Sequence, residues 1–260
     1  MKYIKSIILL LVLLASVILP VFFYYKFDPA LLSKLSFYIS LANPYVRIVR
    51  VQEGLRKEEV AEVVAGKLDW DNIKKEAFMN SVKVEGHYFP KTYLIYKDAD
   101  PALVGASMAQ EFTAQVSKIK KPKSGKIINE NTALKVASLI QREAAGKQDM
   151  ALISGIIWNR IFKGMKLQID ATLQYAKGSV EEGWWEEVDS ADKKIKSSYN
   201  TYLYEGLPPG AIANPGINAI RAAYNPQKTE CLFYLHDKNR KIHCAKTYEQ
   251  HKKNINMYLK

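Results

Sequence analysis

Two cysteines and four histidines among 260 residues leave little material for metal or thiol chemistry. His87, His236, His243 and His251 have no ligand spacing with Cys231 and Cys244, so neither a zinc site nor any other metal is expected. No serine sits in a G-x-S-x-G elbow, which removes support for acyl-enzyme chemistry. A P-loop and a dinucleotide fingerprint are missing too, and no cofactor is implied. Acid is scarcer than base: 26 Asp and Glu face 38 Lys and Arg, for a formal net charge of +12. Such an excess favours an anionic neighbour, whether nucleic acid, anionic lipid or an acidic wall polymer.

What the chain does have is apolar material, 48% of its residues, ample for a packed core in one large or two small domains. An uncharged run from Ile7 to Phe23 follows Lys2 and Lys5 and is followed by Tyr24, Tyr25 and Lys26. Spanning a bilayer takes ~20 residues, so residues 1–25 read as a cytosolic stub and a transmembrane helix with interfacial tyrosines. No small-x-small cleavage site ends the run and no lipobox cysteine follows it. The positive-inside rule then puts the N-terminus in the cytoplasm and the rest outside, in the cell (inner) membrane as a single-pass protein. Nucleic acid is thereby disfavoured as a partner.

Residues 26–45 read as a connector broken by Pro29 and Pro44. Residues 46–120 then give strand, helix, helix, strand and a further helix: "YVRIVRVQEG" is β-branched, Val60, Val63, Val64 and Leu68 keep helical spacing, "DWDNIKKEAFMNS" starts at a capping Asp69, and "HYFPKTYLIYKD" is a strand. Asp100 before Pro101 caps the further helix. The Lys-rich segment 121–128 marks a hinge, and residues 129–260 a second domain. There the helix "NTALKVASLIQREAAG" is capped near Asn131 or Thr132, "SVEEGWWEEVDSADKK" is a partly exposed insertion, and Cys231 and Cys244 flank a hairpin. Those two thiols either pair across it or stay free.

Glu143 is the residue on which chemistry turns. At 100° per residue Val136, Leu139 and Ile140 surround it, while Lys135, Ser138 and Arg142 fall opposite. A carboxylate among apolar neighbours loses hydration when ionised, which raises its pKa and suits a general acid for glycosidic bonds. A structural Glu that snorkels to water or pairs with a base satisfies the pattern as well. No second carboxylate sits near Glu143 on that helix, so a one-acid scheme with a nucleophile from the substrate is the alternative to hydrolysis. Downstream, "YNTYLYEGLPPGAIANPG" is a long, turn-rich loop whose aromatic, amide and hydroxyl groups suit sugar faces, or else form a rigid Ω-loop.

Together "VEGHYFPKTY", "ASLIQREA", "ISGIIWNRIFKGMKLQIDATLQYA", "YNTY" and "GLPPGAIANPG" resemble the endolytic murein transglycosylase (YceG-like) family, over about Val46 to the C-terminus. The resemblance implies an α+β fold: the N-terminal transmembrane helix, a small LysM-like βααβ domain and a mixed α/β catalytic domain. It implies a lyase that cuts nascent peptidoglycan glycan strands between N-acetylmuramic acid and N-acetylglucosamine, leaving 1,6-anhydro ends, beside peptidoglycan synthases (penicillin-binding proteins). Glu143 matches the family's catalytic Glu. Gln168, Asp170 and Thr172 match a cleft-lining segment, and Tyr199, Asn200, Thr201, Pro208 and Asn214 the loop opposite. Glu85, Tyr88 and Phe89 fall on the LysM-like signature as glycan contacts. Gln141 stands where the family has an acid, Lys91 and Ala171 also depart from its pattern, and His243 is one place from its C-terminal His. A noncatalytic glycan-binding scaffold for synthases is the competing reading, and a water-using muramidase the third.

Overall fold

A computed structural model of the chain describes residue 16 and residues 29–121, 128–180 and 183–260. The transmembrane expectation falls on residues outside these, apart from residue 16, and so does residues 122–127 of the Lys-rich hinge. Among the described residues no helix is long and apolar enough to cross a membrane.

Within the expected connector lies a helix, α1 (Pro29–Ala42). Proline at a first helical position costs no hydrogen bond, because that N–H has no partner within the helix. The next elements are β1 (Val46–Arg50), α2 (Lys57–Leu68), α3 (Asn72–Ser81) and β2 (Thr92–Tyr96). β1 and β2 pair antiparallel with Val46 opposite Tyr96 and Arg50 opposite Thr92. Strand alternation turns Val49, Tyr93 and Ile95 inward onto Val60, Val64, Leu68 and Phe78, forming a small core. The N-cap of α3 is Asp71, which accepts the Lys74 N–H at 2.9 Å; Asp69, expected in that role, ends α2 in a left-handed conformation instead.

α4 (Pro101–Ser117) starts as expected, its Asp100 side chain accepting the Leu103 N–H at 3.0 Å. It crosses α3 closely, and a Cβ at Gly105 would collide with Ser81 Oγ. Its two halves belong to different cores. Val104 and Met108 pack with the small unit, whereas Phe112 and Val116 pack with the larger core of the C-terminal half. The division expected at residues 121–128 therefore runs, in packing terms, through the middle of α4. Phe89 also belongs to the larger core.

That core gathers α5 (Glu130–Glu143), α6 (Met150–Phe162), α7 (Asp170–Lys177) and α8 (Ile217–Tyr224). Asn129 caps α5, two or three residues before the expected Asn131 or Thr132, its side chain accepting the Thr132 N–H at 2.8 Å. β3 (Phe233–His236) and β4 (Ile242–Ala245) form an antiparallel hairpin with Tyr234 opposite Cys244. Cys231 and Cys244 are disulfide-bonded, their Cα atoms 5.8 Å apart. The last helix is α9 (Tyr248–Tyr258), capped by Thr247. Among the described residues, helices and two small sheets thus make up the architecture, and the long loop between α7 and α8 lies over α5.

Candidate active site

Glu143 is the last residue of α5, and the three apolar side chains expected around it, Val136, Leu139 and Ile140, are fully buried. Burying each contributes on the order of 1.5–3 kcal/mol, enough to fix the helix rotation that aims Glu143. Ser138 departs from its expected solvent face. Its hydroxyl is buried, donates to the Lys135 carbonyl at 2.8 Å and accepts the Ile212 N–H at 3.1 Å, stitching α5 to the long loop. Gln141 accepts the Gly216 N–H at 3.0 Å. A carboxylate in its place could accept the same bond, so the neutral amide preserves this tie to the start of α8.

Glu143 lines a cleft of about 370 Å³ together with Arg160, Leu167, Gln168, Tyr202, Phe233, Tyr234, Tyr248 and His251. Tyr234 donates its hydroxyl to Glu143 Oε2 at 2.5 Å. Burial pushes the Glu143 carboxyl above the usual carboxylate range, and the Asp170 charge pushes the same way. The Tyr234 hydrogen bond and the Arg142 and Arg160 charges pull it back. Tyr234 itself is held far above the ordinary phenol range, first by burial and then by the Glu143 charge, so it stays a donor. Arg160 is spent on structure: its guanidinium donates to the Leu232 and Leu167 carbonyls, each at 2.6 Å, pinning the start of the hairpin to the segment that precedes α7.

The expected site residues divide sharply. Gln168 reaches the cleft, exposed and with a left-handed φ of 52°. Asp170 is exposed at its rim, accepting the Tyr202 hydroxyl at 2.5 Å. Thr172 and Thr201 are buried, with hydroxyls 2.9 Å apart, and Thr201 also accepts the Ile169 N–H. Asn200 is fully buried, donating to the Lys193 and Ile195 carbonyls and accepting the Tyr202 N–H. Pro208 is buried, and Tyr199 packs partly buried on Tyr175 with ring centroids 4.8 Å apart. Direct glycan contact is thus corrected to positioning for Thr172, Thr201, Asn200 and Pro208.

The upstream trio receives the same correction. Tyr88 is fully buried, stacked on Phe78 with its hydroxyl on the Phe78 carbonyl at 2.8 Å. Phe89 lies in the core. Glu85 is buried, accepting N–H groups of Lys57 and Gly86 and, at 3.1 Å, the Asn214 side chain. Asn214, also fully buried, completes its set with the Leu55 carbonyl and the Tyr88 N–H. The turn at Gly86, with φ 94°, is tight against Leu134 and Ala211, where a Cβ would stand 3.0–3.1 Å from each. These residues join the small unit to the long loop.

Tyr202, from the loop whose aromatics suit sugar faces, reaches the cleft, whereas Arg160, Phe233, Tyr234, Tyr248 and His251 are cleft residues that sequence reasoning missed. The aromatic pattern of "LFYLH" was visible, yet nothing in it told which strand face meets α5. The tryptophan insertion also has a firmer place than expected. Arg56 lies 4.3 Å from the ring centroids of both Tyr175 and Trp184, Arg142 lies 3.6 Å from Trp185, and Trp185 Nε1 donates to Glu59 at 2.9 Å. Among the described residues no group of three or more His, Cys, Asp or Glu is placed to hold a metal ion.

The sequence profile described as the YceG-like family matches residues 24–257. An endolytic murein transglycosylase of Bacillus subtilis is 34% identical over 193 residues, 73% of this chain and 52% of that protein. One of Streptococcus pneumoniae is 32% identical over 179 residues, 66% of this chain and 32% of that protein. The chain therefore spans about half the length of the first relative and a third of the second. A crystal structure of a YceG-like protein from Listeria monocytogenes superposes with a TM-score of 0.71 at 25% identity, covering 79% of this chain and 75% of that one.

Proposed function

The chain belongs to the YceG-like family, and from that premise we propose that it is an endolytic lytic transglycosylase acting on peptidoglycan glycan strands. The observation that carries the reading is Glu143: a partly buried carboxyl whose pKa is raised by its setting, open to an aromatic cleft. In the first half of the reaction the protonated Glu143 gives its proton to the glycosidic oxygen between muramic acid and glucosamine, and that C–O bond breaks. In the second half the muramyl 6-hydroxyl oxygen bonds to C1 while Glu143 takes up the hydroxyl proton. The ring closes as the 1,6-anhydro sugar, no water is consumed, and Glu143 returns to its acid form. Tyr202, Phe233 and Tyr248 supply ring faces against which pyranose rings pack.

The apolar run at residues 7–23 supports anchoring in the cell membrane with the cleft outside the cytoplasm. Nascent strands made there by peptidoglycan synthases are the substrate in this reading. The βααβ unit of β1, α2, α3 and β2 supports a LysM-like role in strand binding, exercised through exposed groups rather than through buried Glu85, Tyr88 and Phe89. Asp170 gives the water-using muramidase its one structural support, since its charge acts on Glu143.

Digestion of purified sacculi by the wild-type protein and by Glu143→Gln tests the reading. Anhydro-muropeptides from the wild type and none from the variant are the expected result, with strand binding retained by both. Reducing ends from the wild type would instead establish hydrolysis, and no release by either protein would leave the scaffold role.

A further inference from the structure

The Tyr234 hydroxyl occupies one oxygen of the Glu143 carboxyl and leaves the other alone. Tyr234 donates to Oε2 at 2.5 Å, whereas no hydrogen bond reaches Oε1 among the described residues. Resting on the transglycosylase reading, we propose that Tyr234 is a positioning residue that directs the transferable proton of Glu143 to Oε1. The carbonyl oxygen of a protonated carboxyl is the better acceptor, so a hydroxyl donor aimed at Oε2 favours the proton on the second oxygen. The same bond persists when Glu143 is ionised, and it then stabilises the carboxylate that receives the 6-hydroxyl proton. One residue thereby serves both halves of the reaction without changing its own protonation, which its buried setting forbids near neutrality.

The surroundings hold this geometry. Tyr234 lies on β3, and Arg160 from α6 grips the preceding Leu232 carbonyl. The charged and titratable groups facing Glu143 are Arg142 on its own helix, Arg160 on α6, Asp170 at the start of α7, Tyr202 on the long loop and Tyr234 itself. His251 on α9 completes the lining. Of these, Tyr234 alone makes a hydrogen bond to the carboxyl. Phe233, its neighbour on the strand, meets Arg160 and His251 instead.

The test compares Tyr234→Phe, which keeps the ring and deletes the hydroxyl, with wild type for kcat and KM across pH. The expected kcat is lower by roughly 10-fold or more, as for a misplaced reacting group. KM should be nearly unchanged, and the pH limb set by Glu143 should move upward because a stabiliser of its anion has gone. A purely structural tyrosine would lower the melting temperature and leave that limb in place, which overturns the proposal. Infrared difference spectra, wild type minus Glu143→Gln, provide a second measurement that needs no turnover. The protonated-carboxyl band of Glu143 should shift to higher frequency in Tyr234→Phe, and an unmoved band overturns the assignment. Wild-type protein that yields no anhydro ends would refute the transglycosylase reading separately, with the infrared result still standing.

Discussion

Asn214 and Glu85, 129 residues apart in sequence, meet at 3.1 Å where the long loop closes on the small unit. The same amide donates to the Leu55 carbonyl at 2.9 Å, and its oxygen accepts the Tyr88 N–H at 2.7 Å. Glu85 in turn caps the N-terminus of α2 through the Lys57 N–H. A carboxyl that looked like a glycan ligand is therefore a junction between the two halves, and its ionisation is a property of the fold.

Burial raises the Glu85 carboxyl to about 7, aided by Glu58, while the Lys57 and Gly86 N–H groups and Arg56 pull it down. With a folded pKa above the unfolded one, the native state holds an extra proton between about 4.5 and 7. Its contribution to stability is thus complete below that window and is lost as pH rises through it, by roughly 3 kcal/mol at most. Glu85→Gln keeps an acceptor at Oε1, which takes the Gly86 and Asn214 bonds, and cannot ionise. The wild-type melting temperature should fall relative to that of Glu85→Gln between pH 5 and pH 8. Parallel melting curves across that range would show that Glu85 does not titrate there.

The tryptophan pair gives a second prediction. Arg142, adjacent to Glu143, is stacked 3.6 Å from Trp185, and burial draws its guanidinium pKa down. Trp185→Leu removes that stack and the 2.9 Å bond to Glu59. A loss of roughly 1–3 kcal/mol is expected from a partly desolvated cation–π contact and one charge-assisted hydrogen bond. Proteolytic nicking between residues 178 and 190 should quicken at the same time. Unchanged stability and unchanged cleavage would mean the insertion is not clasped to α2 and α5.

Element order was legible because its signals are local. Periodicity located α2 and α5, the Asp-Pro pair marked α4, and the β-branched runs marked β1 and β2. The apolar stripe by itself also places Glu143 among buried neighbours, without reference to any tertiary contact. What stayed hidden depends on pairs distant in sequence. Ser138 reads as polar and therefore outward, yet Ile212, 74 residues on, supplies the N–H that lets it be buried. Asn200, Thr201 and Asn214 read as ligands for the same reason: sequence shows a polar group but not whether the fold itself consumes its hydrogen bonds. Tyr234 shows the converse, an aromatic that reads as core until α5 places a carboxyl beside it.

The hairpin that carries Tyr234 yields the last prediction, and its two strands are held unequally. On the β3 side, Asn159 donates to the Thr229 and Cys231 carbonyls at 2.8 and 3.1 Å, and Arg160 grips Leu232. The β4 side has the ladder, the disulfide and contacts with α9, including an Asn254 amide 3.5 Å from the Cys244 carbonyl. Strands of four residues are marginal by themselves. Closing a 13-residue separation is worth roughly 3 kcal/mol in the chain-entropy account. Replacing both cysteines by serine should therefore lower the melting temperature and loosen β4 with α9, whose Tyr248 and His251 form one wall of the cleft. Tyr234 stays pinned from α6, so KM for glycan strands should rise more than kcat falls. A double variant with wild-type KM and a lowered kcat would reverse that assignment, placing the disulfide in support of Tyr234 rather than of the cleft wall.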